Sequence, residues 1–478
     1  MKSRRFLFML LGAALVAGAL AAGRASSAPT APAPSAPVAP GAAALGPSTT
    51  AWFCPGLPPA LDHRSARVTF ANVGDATAEV VVTDLSDKGK PTQVAFSVPR
   101  NSVVTKTRDQ LGGAGSLTVE WFGGRLLVEE GITAAGALDI TPCATRTSAH
   151  WYFAAGTTPR GVQQWVVIDN PYASDAKVDV TLRTSSGVRR PDALQGLDIA
   201  RRSREIIAVH DIAVRQDRVA VAIDAEVGSV VAAQSLVYTS AAGSPGVALS
   251  LGSPTAGTDW TFAGGVSQPS TNAWVAIANV GGADAQVDVQ ATGESSKRAL
   301  APTTVPVAED DVVWVQLGQC AAAAGKGCVP IPDGERYSLD VQSEQSVSIV
   351  AQVLTRFGNA PDVVGTVTSP GAVAPASSWA FARTRVDGER STTLSIFNPE
   401  AHAAVVSIGL VHNGTVQHPR SLQRVTVPPG RQITLTVVGG PRPSKIDAAL
   451  TIDSSSPVFV ERSIVATDEA VRSVGVVG

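Results

Sequence analysis

Apolar and polar residues alternate with a period of two along most of the chain. Ala176, Val178 and Val180 alternate with Lys177, Asp179 and Thr181, and Ala285, Val287 and Val289 alternate with Gln286, Asp288 and Gln290. Such alternation marks a strand with one buried and one wet face. An apolar strand precedes each, as in Trp165-Val166-Val167-Ile168 and Trp274-Val275-Ala276-Ile277. The links between them, Asn170-Pro171-Tyr172-Ala173-Ser174-Asp175 and Asn279-Val280-Gly281-Gly282-Ala283-Asp284, are rich in turn formers. The spacing predicts a β-hairpin with a loop of about five or six residues, its asparagine bonding the loop backbone.

The pattern repeats four times. A tryptophan opens each unit, in Trp52-Phe53, Trp151-Tyr152-Phe153-Ala154, Trp260-Thr261-Phe262-Ala263 and Trp379-Ala380-Phe381-Ala382. Asn72, Asn170, Asn279 and Asn398 follow at offsets of 20, 19, 19 and 19. Each is followed six residues later by Ala78, Ala176, Ala285 or Ala404, then by Val80, Val178, Val287 or Val406. An internal repeat of about 100–120 residues is too long for a solenoid unit and suits a small β domain. Later in each unit come a polar turn (Val98-Pro99-Arg100-Asn101, Ile199-Ala200-Arg201-Arg202, Val307-Ala308-Glu309-Asp310, Val427-Pro428-Pro429-Gly430), an alternating run and an apolar strand. A Gly/Val strand closes the unit, as in Gly246-Val247-Ala248-Leu249. With about seven or eight strands per unit and no amphipathic helix, the expected fold is all-β: four tandem immunoglobulin-like sandwiches at 51–149, 150–258, 259–377 and 378–478. The competing arrangement is an interlocked ring or propeller-like assembly, in which first and last strands pair with neighbouring units.

Ahead of the repeats, Lys2, Arg4 and Arg5 precede an apolar run from Phe6 to Ala22 and then small residues, the pattern of a signal peptide over residues 1–25. An uncleaved anchor is the alternative, since the run is at the lower limit for spanning a bilayer. The Ala/Pro-rich stretch that follows is uncharged from Ala28 to Pro47, so residues 26–50 read as a semi-extended spacer. These features place the folded part outside the cytoplasm or in the cell envelope.

Composition narrows the function classes. Lys+Arg 38 against Asp+Glu 40 and 16% charged residues exclude a strongly basic nucleic-acid binder and an acidic disordered chain. Four cysteines behind an export signal are expected as disulfides, and the local pairs are Cys54–Cys143 and Cys320–Cys328. None has the spacing of a metal site.

The search for chemistry finds no HExxH, GxSxG, P-loop or GxGxxG. His402, His412 and His418 cluster in sequence, but read as polar loop residues around the Asn413-Gly414 turn. Asn413-Gly414-Thr415 also matches a glycosylation sequon. Glu129-Glu130 and Glu309-Asp310-Asp311 resemble carboxylate pairs for glycoside cleavage; Glu130 aligns, however, with Gln234, Gln352 and Arg462, which points to polarity and not acid chemistry. Trp151, Trp260 and Trp379 could stack on sugars, yet repetition at one place in every unit favours core plugs. Arg189, Arg190, Arg201, Arg202 and Arg204 make the second unit locally basic, a solvated face or a contact for anionic envelope polymer. No catalytic, cofactor-binding or metal residue is assigned.

The Trp-x-Phe-Ala opening, the Val-x-Ile-x-Asn-Pro strand and turn, and the Ala-x-Val-x-Val strand resemble a secreted actinobacterial family of unknown function, over roughly residues 50–478. The resemblance implies an envelope-located protein and transfers no catalytic residue. The first unit departs from the pattern, with Cys54 where Phe-Ala is expected. The leading expectation is a non-catalytic exported structural, scaffolding or binding protein of the bacterial envelope. Its partner would be an envelope protein or polysaccharide, with no nucleic acid and no cofactor. A polysaccharide-binding array is the alternative, and a glycan hydrolase ranks below both, since one active site seldom recurs in four near-equivalent copies.

Overall fold

Each stretch of period-two alternation forms a strand, and the strands pair within their own repeat. The computed structural model describes residues 51–85, 91–134, 137–243, 245–269, 271–295, 300–320, 327–357, 365–386, 390–437, 446–466 and 470–477. The leader and spacer lie outside them.

The first unit contains β1 (Ala51–Cys54), β2 (Ala66–Asn72), β3 (Ala78–Leu85), β4 (Thr92–Val98), β5 (Ser102–Thr107), β6 (Ser116–Phe122), β7 (Leu126–Ala134) and β8 (Ala137–Pro142). They form two four-stranded sheets, ordered β1-β6-β3-β4 and β5-β2-β7-β8. The second unit adds β9 (His150–Phe153), β10 (Val162–Asn170), β11 (Ala176–Thr184), β12 (Gly187–Arg189), β13 (Leu197–Ile199), β14 (Ser203–Ala208), β15 (Val219–Val227), β16 (Val231–Tyr238) and β17 (Gly246–Leu251). It repeats the plan, with β12 and β13 together in the place of β4. The third has β18 (Asp259–Phe262), β19 (Thr271–Asn279), β20 (Ala285–Gly293), β21 (Thr303–Val307), β22 (Val312–Gly318), β23 (Cys328–Pro330), β24 (Tyr337–Ser343), β25 (Ile349–Phe357) and β26 (Gly365–Pro370). The fourth has β27 (Ala376–Val386), β28 (Arg390–Asn398), β29 (Ala404–His412), β30 (Thr415–Gln417), β31 (Val425–Val427), β32 (Arg431–Val437), β33 (Ile446–Ala466), β34 (Ala470–Val474) and β35 (Val476–Val477). Here β33 runs through both sheets, its first half pairing β27 and β29 and its second half β28 and β34.

The expected hairpin is not formed. β10 pairs β14 and β16, whereas β11 pairs β12, β13 and β15 in the opposite sheet. The link is an arch that carries the chain across the sandwich. Its repeated asparagine explains why. Asn170 is buried; its Nδ2 donates to the carbonyls of Ser174 at 2.8 Å, within the arch, and Ile199 at 3.1 Å, on the other crossing of the sandwich. Its Oδ1 accepts from Tyr172 N. Asn72, Asn279 and Asn398 bond in the same way, to Ala76 and Val98, Ala283 and Val307, and His402 and Val427. The side chain satisfies backbone groups that a crossover would leave unpaired.

Tryptophan fixes the same end of the core. Trp52, Trp151, Trp260 and Trp379 are at most 1% exposed, and each indole N–H donates across the sandwich, to the carbonyls of Leu126, Val230, Ile349 and Val458. In the last three units an aromatic ring two residues later lies against a glycine: a Cβ on Gly252 would sit 2.7 Å from Phe153 Cζ, and Gly371 and Gly475 stand likewise against Phe262 and Phe381. In the first unit Cys54 holds the aromatic's place and Cys143 the glycine's, and the two form a disulfide. The second disulfide joins Cys320 to Cys328.

The units are packed into a closed ring, in which strand pairing stays inside each unit. β8, β17, β26 and β34 pack side by side in that order around the centre, and β34 returns to β8. Asp139 and Thr141 accept from the backbone N–H groups of Leu249 and Leu251, so β8 and β17 run parallel. A void of about 10 Å³ lies among these strands. Apolar clusters cross every seam: Phe53 and Ala144 pack with the second unit's core, Ala154 and Ala155 with the third's, Ala263 and Ala372 with the fourth's, and Ala380, Ala382 and Val476 with the first's.

Replacing Asn279 by Ala strands the buried Val307 carbonyl and removes the loop bonds to Ala283 O and from Gly281 N, and should cost about 2–4 kcal/mol. A denaturant titration should show the midpoint of the whole chain falling in one transition, because the seams couple the units. A separate early transition confined to part of the amplitude would show that they unfold independently.

Candidate functional site

One set of buried polar side chains lies at the seams. Three residues before each arch asparagine, Thr69, Val167, Ala276 and Ser395 pair with Glu129, Ala233, Gln352 and Glu461. These four positions are equivalent, and each faces the preceding unit. Gln352 accepts from Ala155 N of the second unit at 3.1 Å, and Glu461 accepts from Gly264 N of the third at 2.7 Å. Glu129 accepts from Arg462 of the fourth at 3.0 Å. This register corrects the sequence alignment by one residue, since Gln352 corresponds to Glu129, whereas Glu130 corresponds to Gln234 and Arg462. The error arises because the buried stretch of β25, Ile349–Thr355, is apolar or neutral on both faces, which removes the alternation that sets register.

Arg462 is a heavily engaged charge at the seam between the fourth and first units. It is fully buried, donates to Glu129, to the Arg383 carbonyl and to Ser473 Oγ, and lies 4.9 Å from the Phe381 ring centroid. Glu130 turns to the other face of β7, where Arg108 Nε lies 3.4 Å away. Two carboxylates on opposite faces, each against its own arginine, do not make an acid–base pair. Arg204 is also buried and donates to the carbonyls of Pro55 and Leu57, closing the first seam at the place where Ala233 offers no polar group.

The other candidates are dispersed. Asp310 binds Arg183 at 2.6 Å and Arg190 at 2.9 Å across the second seam. Burial pushes its carboxyl up, but the two arginines outweigh burial and hold it below the ordinary value. Asp311 accepts from Val312 N, and Glu309 donates its backbone N–H to Asp284. Arg189 donates to the Ile212 carbonyl, and Arg201 lies 3.9 Å from Asp175; with Arg204 buried, the five arginines do not share a face. His402 sits in the arch loop, while His412 and His418 flank the hairpin at the far end of β29, about 25–30 Å away for a strand of this length. Asn413 and Gly414 take positive φ in that hairpin turn, and Gly414 N donates to Asn101 O of the first unit. No group of three metal-binding side chains occurs among the described residues. The seam between units one and two holds a cavity of about 20 Å³ beside the Cys54–Cys143 disulfide, lined in part by Glu130, Gln234 and Ser250. That is room for about one water molecule.

Two carboxylates at the seams stand out electrostatically. Burial pushes Asp169 up to about 7 against the pull of Ser116 and Arg204, at the first seam. Burial also raises Asp139 well above its ordinary value, against N–H donation from Leu249 and Ile140 and the charge of Arg462.

A family model described as a family of unknown function (DUF5719) matches residues 128–386, from β7 through β27, a narrower span than the resemblance over residues 50–478. No curated protein matches. Among solved structures, the Anabaena sensory rhodopsin transducer is 25% identical, covering 20% of this chain and 93% of its own, with a TM-score of 0.17. Thermotoga maritima 1070 is 14% identical, covering 22% and 94%, with a TM-score of 0.20.

Two outcomes test the seams. Arg462→Met should destabilise by about 3–5 kcal/mol, since it leaves Glu129 buried and unpaired, and adding Glu129→Met should recover most of the loss. Equal damage from the single and double variants would refute a paired role. Asp169 binds its proton more tightly folded than unfolded. Its contribution to stability is therefore fully present below the ordinary value of 3.8, declines as pH rises from there to about 7, and is lost above. Asp169→Asn should flatten that decline in denaturant midpoints measured against pH; an unchanged slope would place the titration elsewhere.

Proposed function

The chain belongs to that family of unknown function (DUF5719), and we propose that it is an exported, non-catalytic scaffolding or binding element of the bacterial cell envelope. One observation carries the reading. The residues that recur in all four units, the tryptophans and the arch asparagines, are buried and engaged in holding each sandwich, and the seam positions hold the sandwiches to one another. A recurrent catalytic or sugar-stacking site would instead present its repeated residues to solvent. The signal pattern of residues 1–25 supports export. Two disulfides suit an oxidising compartment, and no helix among the described residues is long and apolar enough to cross a membrane. The resemblance to secreted actinobacterial proteins supports the same compartment, and the spacer of residues 26–50 would hold the ring away from the export site or membrane.

Cell fractionation tests export and architecture together. The folded chain should lie outside the cytoplasmic membrane with both disulfides formed. Deleting Phe6–Ala22 should retain the chain in the cytosol with Cys54 and Cys143 reduced and the ring less stable by roughly 2–4 kcal/mol. Full-length protein found in the cytosol with residues 6–22 attached would overturn export. Hydrolysis of purified wall by the pure protein would overturn the non-catalytic reading. Saturable wall binding released by a defined soluble glycan would identify the polymer-binding form of it.

A further inference from the structure

The seams leave one side of each sandwich outside the ring, and its edge strand is treated differently in unit one. In the second and fourth units this edge is cut into three-residue strands, β12 and β13 or β30 and β31, by a short 3-10 turn that begins after Pro191 or Pro419. In the third, β21 carries Pro306. Such breaks prevent further strands from adding. β4 has no break. It runs seven residues, Thr-Gln-Val-Ala-Phe-Ser-Val, without proline or charge, and pairs with β3 on one side and with no described strand on the other.

This edge matches itself. Gln93, Ala95 and Ser97 are exposed on its outer face, while Val94 and Phe96 are half-buried on its inner face, opposite the core residues Val82 and Val80 of β3. Laid antiparallel about Ala95, a second β4 gives every residue a partner. Val94 meets Phe96, Gln93 meets Ser97, Thr92 meets Val98 at the ends, and Ala95 meets its own copy. Apolar side chains then face one another on the inner side, where Val94 and Phe96 gain the cover they lack. On the outer side Gln93 Nε2 already donates to Thr83 Oγ1 at 3.2 Å, which leaves Oε1 to accept from the Ser97 hydroxyl of the other strand. A small residue stands on the two-fold axis, where a bulky or charged one would collide with or repel its own copy. Glu79 is the charge on β3 beside this face, in the row of Ser97. Across the pair the two Glu79 side chains would be three strand spacings and four residues apart, roughly 20 Å, so they do not oppose the contact. A strand with alternating charges would find no counter-charge on β4, whereas β4 itself supplies the matching rows.

We propose that β4 is the contact of a two-fold dimer of this chain, in which the two copies of β4 pair antiparallel about Ala95. The outer sheet β1-β6-β3-β4 then continues into β4-β3-β6-β1 of the second copy, and the edge left open in each is closed by the other. A single strand pair is a small interface, so the dimer is reversible and not obligate. The inference goes beyond the scaffold reading and does not rest on it.

The test uses sedimentation of the purified full chain, which should show monomer and dimer in exchange. Ala95→Lys and Ala95→Glu place like charges on the axis, and each alone should weaken the dimer about tenfold. An equimolar mixture of the two should restore it as a heterodimer. Under mild oxidation Ala95→Cys should crosslink to its copy, because directly opposed Cα atoms lie about 4.5–5.5 Å apart, within disulfide range. Gln93→Cys should not, since its two copies would be offset by roughly 13 Å along the strands. All three positions of change are on the exposed face, and circular dichroism verifies that each variant keeps its β fold. A chain that stays monomeric at roughly 0.1 mM would overturn the proposal. So would a dimer indifferent to charge at residue 95, or equal crosslinking at residues 93 and 95, either of which would place the contact on another surface or in another register. A dimer formed only once residues 26–50 are removed would also overturn it, since the chain's own spacer would then hold the edge. None of these failures bears on export or on the scaffold reading.

Discussion

The constraint on which the structure depends is the closing of sheet edges. An isolated sandwich of two four-stranded sheets leaves four edges, each a row of unpaired backbone groups. The ring disposes of half of them. β8, β17, β26 and β34 are edges of their own sheets, and they pack against one another at the centre. On the opposite edges of the same sheets, β5 packs against β29 and β33 of the preceding unit, and β32 against β20. Contacts of this kind join unlike surfaces, and such heterologous interfaces close only when the rotation per step divides the circle. Each unit is self-contained in strand pairing yet has two faces that make sense only in the ring. That is why neither extreme, free tandem sandwiches or strand-exchanged units, describes the molecule.

What was legible in the sequence follows from what a linear pattern encodes. Period-two alternation identifies strands and their buried faces, and the fixed Trp-to-Asn offset reveals the repeat, because both are local. Alternation does not say which sheet a strand joins. A hairpin and an arch have the same turn residues and the same loop length, so the link at Asn170 read as a hairpin. Only burial of the asparagine, bonded to both Ser174 and Ile199, shows that it spans two crossings. The seam residues were hidden for a related reason. Glu129 and Arg462 are 333 residues apart, and nothing in either neighbourhood marks the other as its partner.

The first unit shows how a repeat can change its chemistry and keep its geometry. Where Phe153, Phe262 and Phe381 require a glycine, Cys54 is too small to fill the space. Glycine at position 143 would leave a void there, and a void in a core costs stability roughly in proportion to its volume. Cysteine at both positions restores contact through a covalent bond. The departure that weakened the sequence match at Cys54 is thus the same pattern expressed in a different bond, and the compartment expected from the leader is the one in which that bond persists.

The seams also show why four similar units keep a fixed order. At the equivalent position the chain places Ala233, Gln352, Glu461 and Glu129, and these meet four different surroundings. Gln352 and Glu461 each accept a backbone N–H, Glu129 meets a buried guanidinium, and beside Ala233 the polar role passes to Arg204. Any exchange that parts the fourth unit from the first would bury Glu129 without Arg462, or Arg462 without a carboxylate. Either would cost several kcal/mol, more than most of the apolar contacts nearby could offset. Buried charge adds little to the stability of a correctly closed ring; its effect is to penalise the wrong closures, and a chain of four near-copies has more wrong closures available than most.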